Sequence, residues 1–214
     1  MAPADAKGPG AGRELDFVGA VTASATHEIK NHLAVINEQS QLALEMLAMA
    51  GRDRPADPRR LAHLLGRVAA RVGGADEVVK RLNTFAHSTE SRRATCDAAQ
   101  ALELMVSFYR RLAALKRVSL ELAPPAGGGM ELPAPPVAVE QALWAALAAA
   151  VEAAPEGGAV ELRLEAEGGS LRLRLRGEFT SPPSPPPAEL LEPLAAQAQA
   201  GPGALELAFP LTSP

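Results

Sequence analysis

Cysteine occurs once in the 214 residues, at Cys96, and aromatic residues make up only 3% of the chain, with a single Trp and a single Tyr. A lone cysteine excludes an intramolecular disulfide and suits a reducing compartment. Scarce aromatics leave Leu, Val and Ala to build the core, which favours packed helices and thin layers over a large sandwich. No run of Lys and Arg offers a footprint for phosphates, and the formal charge is -4, so the composition argues against a nucleic-acid partner. The opening MAPADAKGPGAGR lacks the apolar stretch of a signal peptide, and no segment combines the length and apolarity of a membrane helix. These absences lead to the expectation of a cytoplasmic chain, away from membranes, whose partner is another protein.

What the chain does contain is 47% hydrophobic residues, enough for two small cores. Residues 1–13 are rich in Gly, Pro and Ala, the composition of a flexible N-terminus. From Glu14 the pattern turns helical. Val18, Ala25, Ile29, Leu33, Ile36, Ala43 and Leu47 recur at steps of three, four or seven, which predicts one long helix ending near Gly51. Asp57-Pro58 supplies an N-cap and a first-turn proline for a second helix. Its Leu61, Leu65, Val68, Val72, Ala75, Val79 and Leu82 alternate steps of four and three, a heptad seam, and Gly73-Gly74 suggests a bend within it. Two long helices and a short loop form an antiparallel hairpin, expected over 14–91. A lone hairpin cannot bury both stripes, so a homodimer closing a four-helix bundle is expected.

From about Arg92 the texture changes, and 92–214 reads as a small α/β sandwich, making the whole chain α+β. Asp97 can cap a helix running to about Leu115, VSLEL reads as a strand, and Pro135-Pro136 opens a helix through QALWAALAAAVEAA. After the turn PEGG, AVELRLE and SLRLRLR alternate apolar and charged residues, as strands with one buried face do. Glu161, Arg163 and Glu165 on one would face Arg172, Arg174 and Arg176 on the other, provided the two strands are neighbours. The proline-rich SPPSPPPAE, a short helix and the strand ALELAF close the chain.

The densest chemistry lies in THEIKNHLAVIN, residues 26–37. On a helix His27 and Asn31 lie one turn apart, and Glu28 reaches Asn31 by a step of three, while Ile29 and Leu33 point into the seam. A neutral imidazole is a capable nucleophile, a carboxylate can fix its tautomer or take its proton, and a carboxamide can position water. Spacing alone also fits a solvated surface histidine. The order of residues goes further: HEIKNHLAVI closely resembles the H-box of sensor histidine kinases, whose dimerisation and phosphotransfer domain is a helical hairpin. The resemblance continues through LNTFAHS and the layout of the C-terminal half, covering roughly residues 14 to 210.

That resemblance implies that His27 is a phosphoacceptor, that Glu28 is the acid beside it, and that Asn31 is the polar position used in phosphatase activity. Lys30 and His32 would then help to dock a partner. The departures are equally specific. Where the family's N-box carries asparagines for metal and nucleotide phosphates, this chain has Ala145 and Ala149. Gly177 stands where an adenine-binding Asp is expected, and no glycine-rich ATP lid follows. The pattern is that of phosphorelay histidine phosphotransferases with a degenerate kinase ATPase domain. It implies no cofactor or metal of the chain's own, with Mg²⁺ belonging to the receiver domain of a response-regulator partner. A response-regulator phosphatase, a pseudokinase scaffold and a sensor histidine kinase remain alternatives. His63 and His87 carry no ligand spacing, Glu38 and Gln39 read as solvated helix residues, Trp144 reads as core, and Cys96 reads as a small buried hydrophobe.

Overall fold

A computed structural model describes residues 9–51, 55–90, 95–124 and 130–211. The chain divides into two compact units, Thr22–Thr84 and Met1–Val21 together with Phe85–Pro214. Both division points fall inside long helices, α1 (Pro9–Ala48) and α2 (Pro58–Glu90). Helix α1 thus begins within the stretch expected to precede it, while the expected boundary at residues 91 and 92 and the bulk of the N-terminal segment lie outside the described residues.

The Thr22–Thr84 unit is a helical hairpin. Asp57 caps α2 by accepting a hydrogen bond at 2.9 Å from the Arg59 N–H. Helix α2 runs unbroken through Gly73-Gly74, so the two glycines do not interrupt it. Its seam is also turned from the expected one. Leu64 and Val78 are the buried positions, Leu61, Val68, Ala75 and Leu82 are half-buried, and Leu65, Val72 and Val79 are exposed. On α1, Leu33 and Leu47 prove 54% and 52% exposed, while Ser24, Gln39 and Ala43 are buried and His32 is half-buried. Each helix therefore presents one stripe inward and a second apolar stripe outward.

In the other unit, β1 (Cys96–Asp97) pairs antiparallel with β3 (Glu131–Leu132), and α3 (Ala98–Leu115) follows β1 directly. Asp97 caps α3 through its carboxylate, which accepts from the N–H groups of Ala99 and Gln100. The main sheet joins β2 (Ser119–Leu122), β4 (Ala159–Glu167), β5 (Ser170–Gly177), β6 (Gln197–Gly201) and β7 (Ala204–Pro210) in the order β2-β4-β5-β7-β6, with only β2 and β4 parallel. The register sets Glu161 opposite Arg176 and Glu165 opposite Arg172. Gly168 and Gly169, both at positive φ, close the tight β4–β5 hairpin, a conformation that a Cβ would strain.

The inner face of this sheet is Val160, Leu162, Leu164, Leu171, Leu173, Leu175, Leu205, Leu207 and Phe209, all buried beneath helices. Each such side chain contributes about 1.5–3 kcal/mol by leaving water. Helix α4 (Pro136–Ala153), opened by prolines at its start, packs on α3 and the sheet through Ala142, Leu143, Ala146, Leu147 and Ala150, whose small methyls permit close approach. By length and a mean hydropathy of 1.2, α4 does reach the range of a membrane-crossing helix, which corrects the expectation that no segment would. Half of it is buried inside this fold as its central helix. A short helix α5 (Ala188–Leu191) and a 3-10 turn (Glu192–Leu194) precede β6.

Candidate functional site

Rotation along α1 separates the polar cluster into two groups. His27, Lys30 and Asn31 are exposed and share one stripe at steps of three and four. No hydrogen bond ties the His27 ring to another described residue. Glu28 is turned the other way, towards α2, and its carboxylate accepts a hydrogen bond from Arg81 at 3.0 Å with both side chains partly buried. Arg81 also donates through Nε to the Glu77 carbonyl at 3.4 Å, which holds its guanidinium over the hairpin. The preceding residue, Lys80, lies between Asp76 and Glu77 at 2.9 Å from each, and these contacts hold its proton more firmly than usual.

His32 also faces inward. Its Nδ1 is enclosed and has no hydrogen-bond partner among the described residues, and the ring lies against Gly74. A Cβ at Gly74 would sit 2.4 Å from Cε1 of that ring, so the glycine leaves the space that the imidazole fills. Of the two residues expected to meet a partner, Lys30 is exposed and His32 is part of the hairpin seam. Gln39, two turns further, is 3% exposed rather than solvated as expected, because it lies on the seam side of α1, and it carries a second enclosed atom without a partner among the described residues, Oε1. The seam thus contains polar groups that an apolar periodicity skips.

In the α/β unit, Ala145 and Ala149 present methyl groups on α4, half-exposed. Gly177 ends β5 where the backbone approaches closely: a Cβ there would lie 2.7 Å from the Ala159 carbonyl oxygen and 3.3 Å from the Phe179 ring. No side chain, and so no carboxylate, fits at that position without moving backbone. Among the described residues no group of His, Cys, Asp and Glu could hold a metal ion.

A groove of about 620 Å³ opens between the N-terminal turns of α1 from Arg13 to Ala20, the middle of α4 and the short α5. Trp144, expected to be core, is half-exposed and lines it, with its ring edge-on to Phe17 at 5.8 Å and to Tyr109 at 4.7 Å. Glu140, one turn earlier on α4, is 2% exposed and accepts a hydrogen bond of 2.6 Å from the Ser88 hydroxyl. Burial pushes its carboxyl up to about 7, against the opposing effect of Ser88. Cys96 is buried, and burial, then Glu140 and Asp97, push its thiol up to about 12, which makes it a poor nucleophile. Sequence reading missed Arg81 and Glu140. Only Glu140 left a trace, as the single acid in the apolar run PVAVEQALW.

No protein-family model and no curated protein matches the chain. Among solved structures it is similar to a histidine kinase from Burkholderia phymatum, with 15% identity, 88% of this chain and 98% of that one covered, and a TM-score of 0.46. A bacterial phosphotransferase aligns at 15% identity over 91% of this chain and 95% of its own, with a TM-score of 0.44. The histidine kinase ThkA, solved in complex with the response regulator protein TrrA, aligns at 14% identity over 92% of this chain and 63% of its own, with a TM-score of 0.45. Likenesses at this level leave the chemistry to be argued from the residues themselves.

Proposed function

We propose that this chain is a histidine phosphotransfer protein of two-component signalling, working in the cytosol on the receiver domain of a response regulator. The observation that carries the reading is the exposure of His27 on the outer stripe of a helical hairpin, where a docked domain can reach its ring. In the forward step a neutral His27 imidazole attacks the phosphorus of the receiver's aspartyl phosphate through Nε2. The P–N bond forms as the P–O bond breaks, the aspartate leaves as carboxylate, and the Nδ1 proton passes to solvent. The reverse step returns the phosphoryl group.

Glu28, Lys30 and Asn31 serve this reaction differently. Lys30, on the exposed stripe with His27, meets the acidic surround of a receiver's phosphorylation site. Asn31, one turn from His27, is placed to orient water, which favours a second activity, hydrolysis of the receiver's aspartyl phosphate. Glu28 must exchange Arg81 for the imidazole before it can take a proton. The Mg²⁺ of the transfer belongs to the receiver. Ala145, Ala149 and Gly177 support the absence of an ATP site of the chain's own. Two copies pair through the outward stripes, Leu33, Leu44 and Leu47 on α1 and Leu65, Val72 and Val79 on α2, which are too apolar to stay wet.

The test mixes the full chain with a receiver carrying labelled phosphate. The chain should acquire an acid-labile label that His27→Ala abolishes. Asn31→Ala should keep the label and slow the release of free phosphate, with losses of about 10² to 10⁴-fold for positioning groups. Label on the His27→Ala protein, or an unchanged receiver phosphate lifetime with both variants, would overturn the proposal in favour of a scaffold.

A further inference from the structure

The groove in the α/β unit has a chemistry of its own, independent of His27. Its volume of about 620 Å³ lies in the range of small-molecule sites, about 300–1,000 Å³. Its apolar lining comes from three elements, with Phe17 and Ala20 on α1, Trp144 and Ala145 on α4, and Leu190 on α5. The Trp144 ring is half-exposed there, a large aromatic surface that folding has left within reach of a ligand.

The charges around this lining are biased to one sign. Arg13 is the one cation among the described residues that lines the groove, and its guanidinium is already engaged, donating to both carboxylate oxygens of Glu189 at 3.2 and 3.3 Å. That pair lowers the Glu189 carboxyl below its ordinary range, chiefly through the hydrogen bond, so the two charges offset one another at neutral pH. Glu14 and Asp16 also line the groove, and neither has an ion-pair partner among the described residues. An anion such as a nucleotide would meet two uncompensated carboxylates. A cation would meet them together with an aromatic ring.

We infer that this groove binds a small organic cation, an apolar body carrying a protonated amine, with the body on Trp144, Phe17 and Ala145 and the ammonium directed to Glu14 and Asp16. Aromatic rings attract such cations through their negative faces, and the attraction grows as the site excludes water. Size, apolar lining and residual charge each restrict the ligand separately, and together they select this class.

The chain's only tryptophan lies in the groove, so its emission reports occupancy directly. Three probes that share one body and differ in charge separate the contributions: 4-phenylbutylammonium, 4-phenylbutanol and 4-phenylbutyrate, titrated into the full-length protein. The ammonium should change Trp144 emission saturably and bind at least tenfold more tightly than the alcohol, with the carboxylate weaker still, a margin set by two nearby unit charges. The double variant Glu14→Gln with Asp16→Asn should retain alcohol binding and lose the preference for the ammonium. Ala145→Phe should fill the groove and abolish both, and circular dichroism of each variant establishes that it is folded. Equal binding of the carboxylate, no saturable response to the ammonium, or a preference that survives removal of both carboxylates would each overturn the inference.

Discussion

Alanine at Gly74, compared with alanine at its neighbour Gly73, weighs helix propensity against the imidazole packed on α2. Both glycines lie inside a continuous helix, where Gly→Ala gains about 0.8–1 kcal/mol from propensity. At Gly73 nothing lies within 4 Å of the added Cβ, so the whole gain should appear as stability. At Gly74 the same Cβ would meet Cε1 of His32 at 2.4 Å and both ring nitrogens at 3.0 Å, about 1 Å inside ordinary contact. Overpacking of this kind costs about 1–3 kcal/mol. The net effect at Gly74 should run from near zero to about 2 kcal/mol of destabilisation, leaving the two variants about 1–3 kcal/mol apart. Urea unfolding followed by far-ultraviolet circular dichroism measures that gap. Adding His32→Ala to Gly74→Ala should restore the propensity gain, since the two sites are coupled only through the ring. If Gly74→Ala stabilises as much as Gly73→Ala, the imidazole does not occupy that space and the inward placement of His32 fails.

Three further outcomes follow from other parts of the fold. Glu140 has its folded carboxyl raised from 4.5 to about 7, so it contributes stability below pH 4.5 that is lost as pH rises through 7. At 1.36 kcal/mol per unit this is about 3 kcal/mol as an upper figure, and Glu140→Gln should flatten the slope between pH 4.5 and 7; an identical slope in both proteins would refute it. Val72→Glu, in the middle of the outward stripe of α2, should leave helicity intact and convert a dimeric sedimentation mass to a monomeric one, whereas an unchanged mass would remove that stripe from the interface. Arg174 bonds to Glu165, Glu167 and Glu206, so Arg174→Ala should cost about 1–2 kcal/mol by leaving three carboxylates adjacent, and Arg174→Lys should not restore it because an ammonium lacks the guanidinium's fork; full recovery with Lys in thermal unfolding would refute that geometry.

Elements with one face in water and one in the core were legible before any coordinates. The alternation in AVELRLE and SLRLRLR gave strands whose leucines are buried and whose charges are not, and Asp97 and Pro135-Pro136 marked helix starts. Strand β6 was missed because QAQAG has no apolar alternation; an edge strand is held by backbone bonds to β7 and needs none. The hairpin was legible and its rotation was not, because counting apolar residues passes over Ser24, His32 and Gln39, which occupy the seam, and enlists Leu33 and Leu47, which do not. Exposure of His27 was legible, since the apolar positions around it define the opposite side. The engagement of Glu28 with Arg81 was hidden by a separation of 53 residues and is fixed only by the register of two helices.

The outer face of the sheet limits what the molecule can attract from a distance. On its central strands Arg163, Arg172, Arg174 and Arg176 are interleaved with Glu161, Glu165, Glu167 and Glu206; hydrogen bonds tie Arg163, Arg172 and Arg174 to these glutamates, and Arg176 lies opposite Glu161 in the register. Field lines that begin on one arginine end on a glutamate a few ångströms away, so four positive side chains on one surface produce almost no potential beyond a Debye length. A polyanion drifting past would feel no pull, whatever the arginine count suggests. Encounter rates set by this face should therefore respond little to ionic strength, and any steering of an approaching partner has to originate elsewhere on the chain.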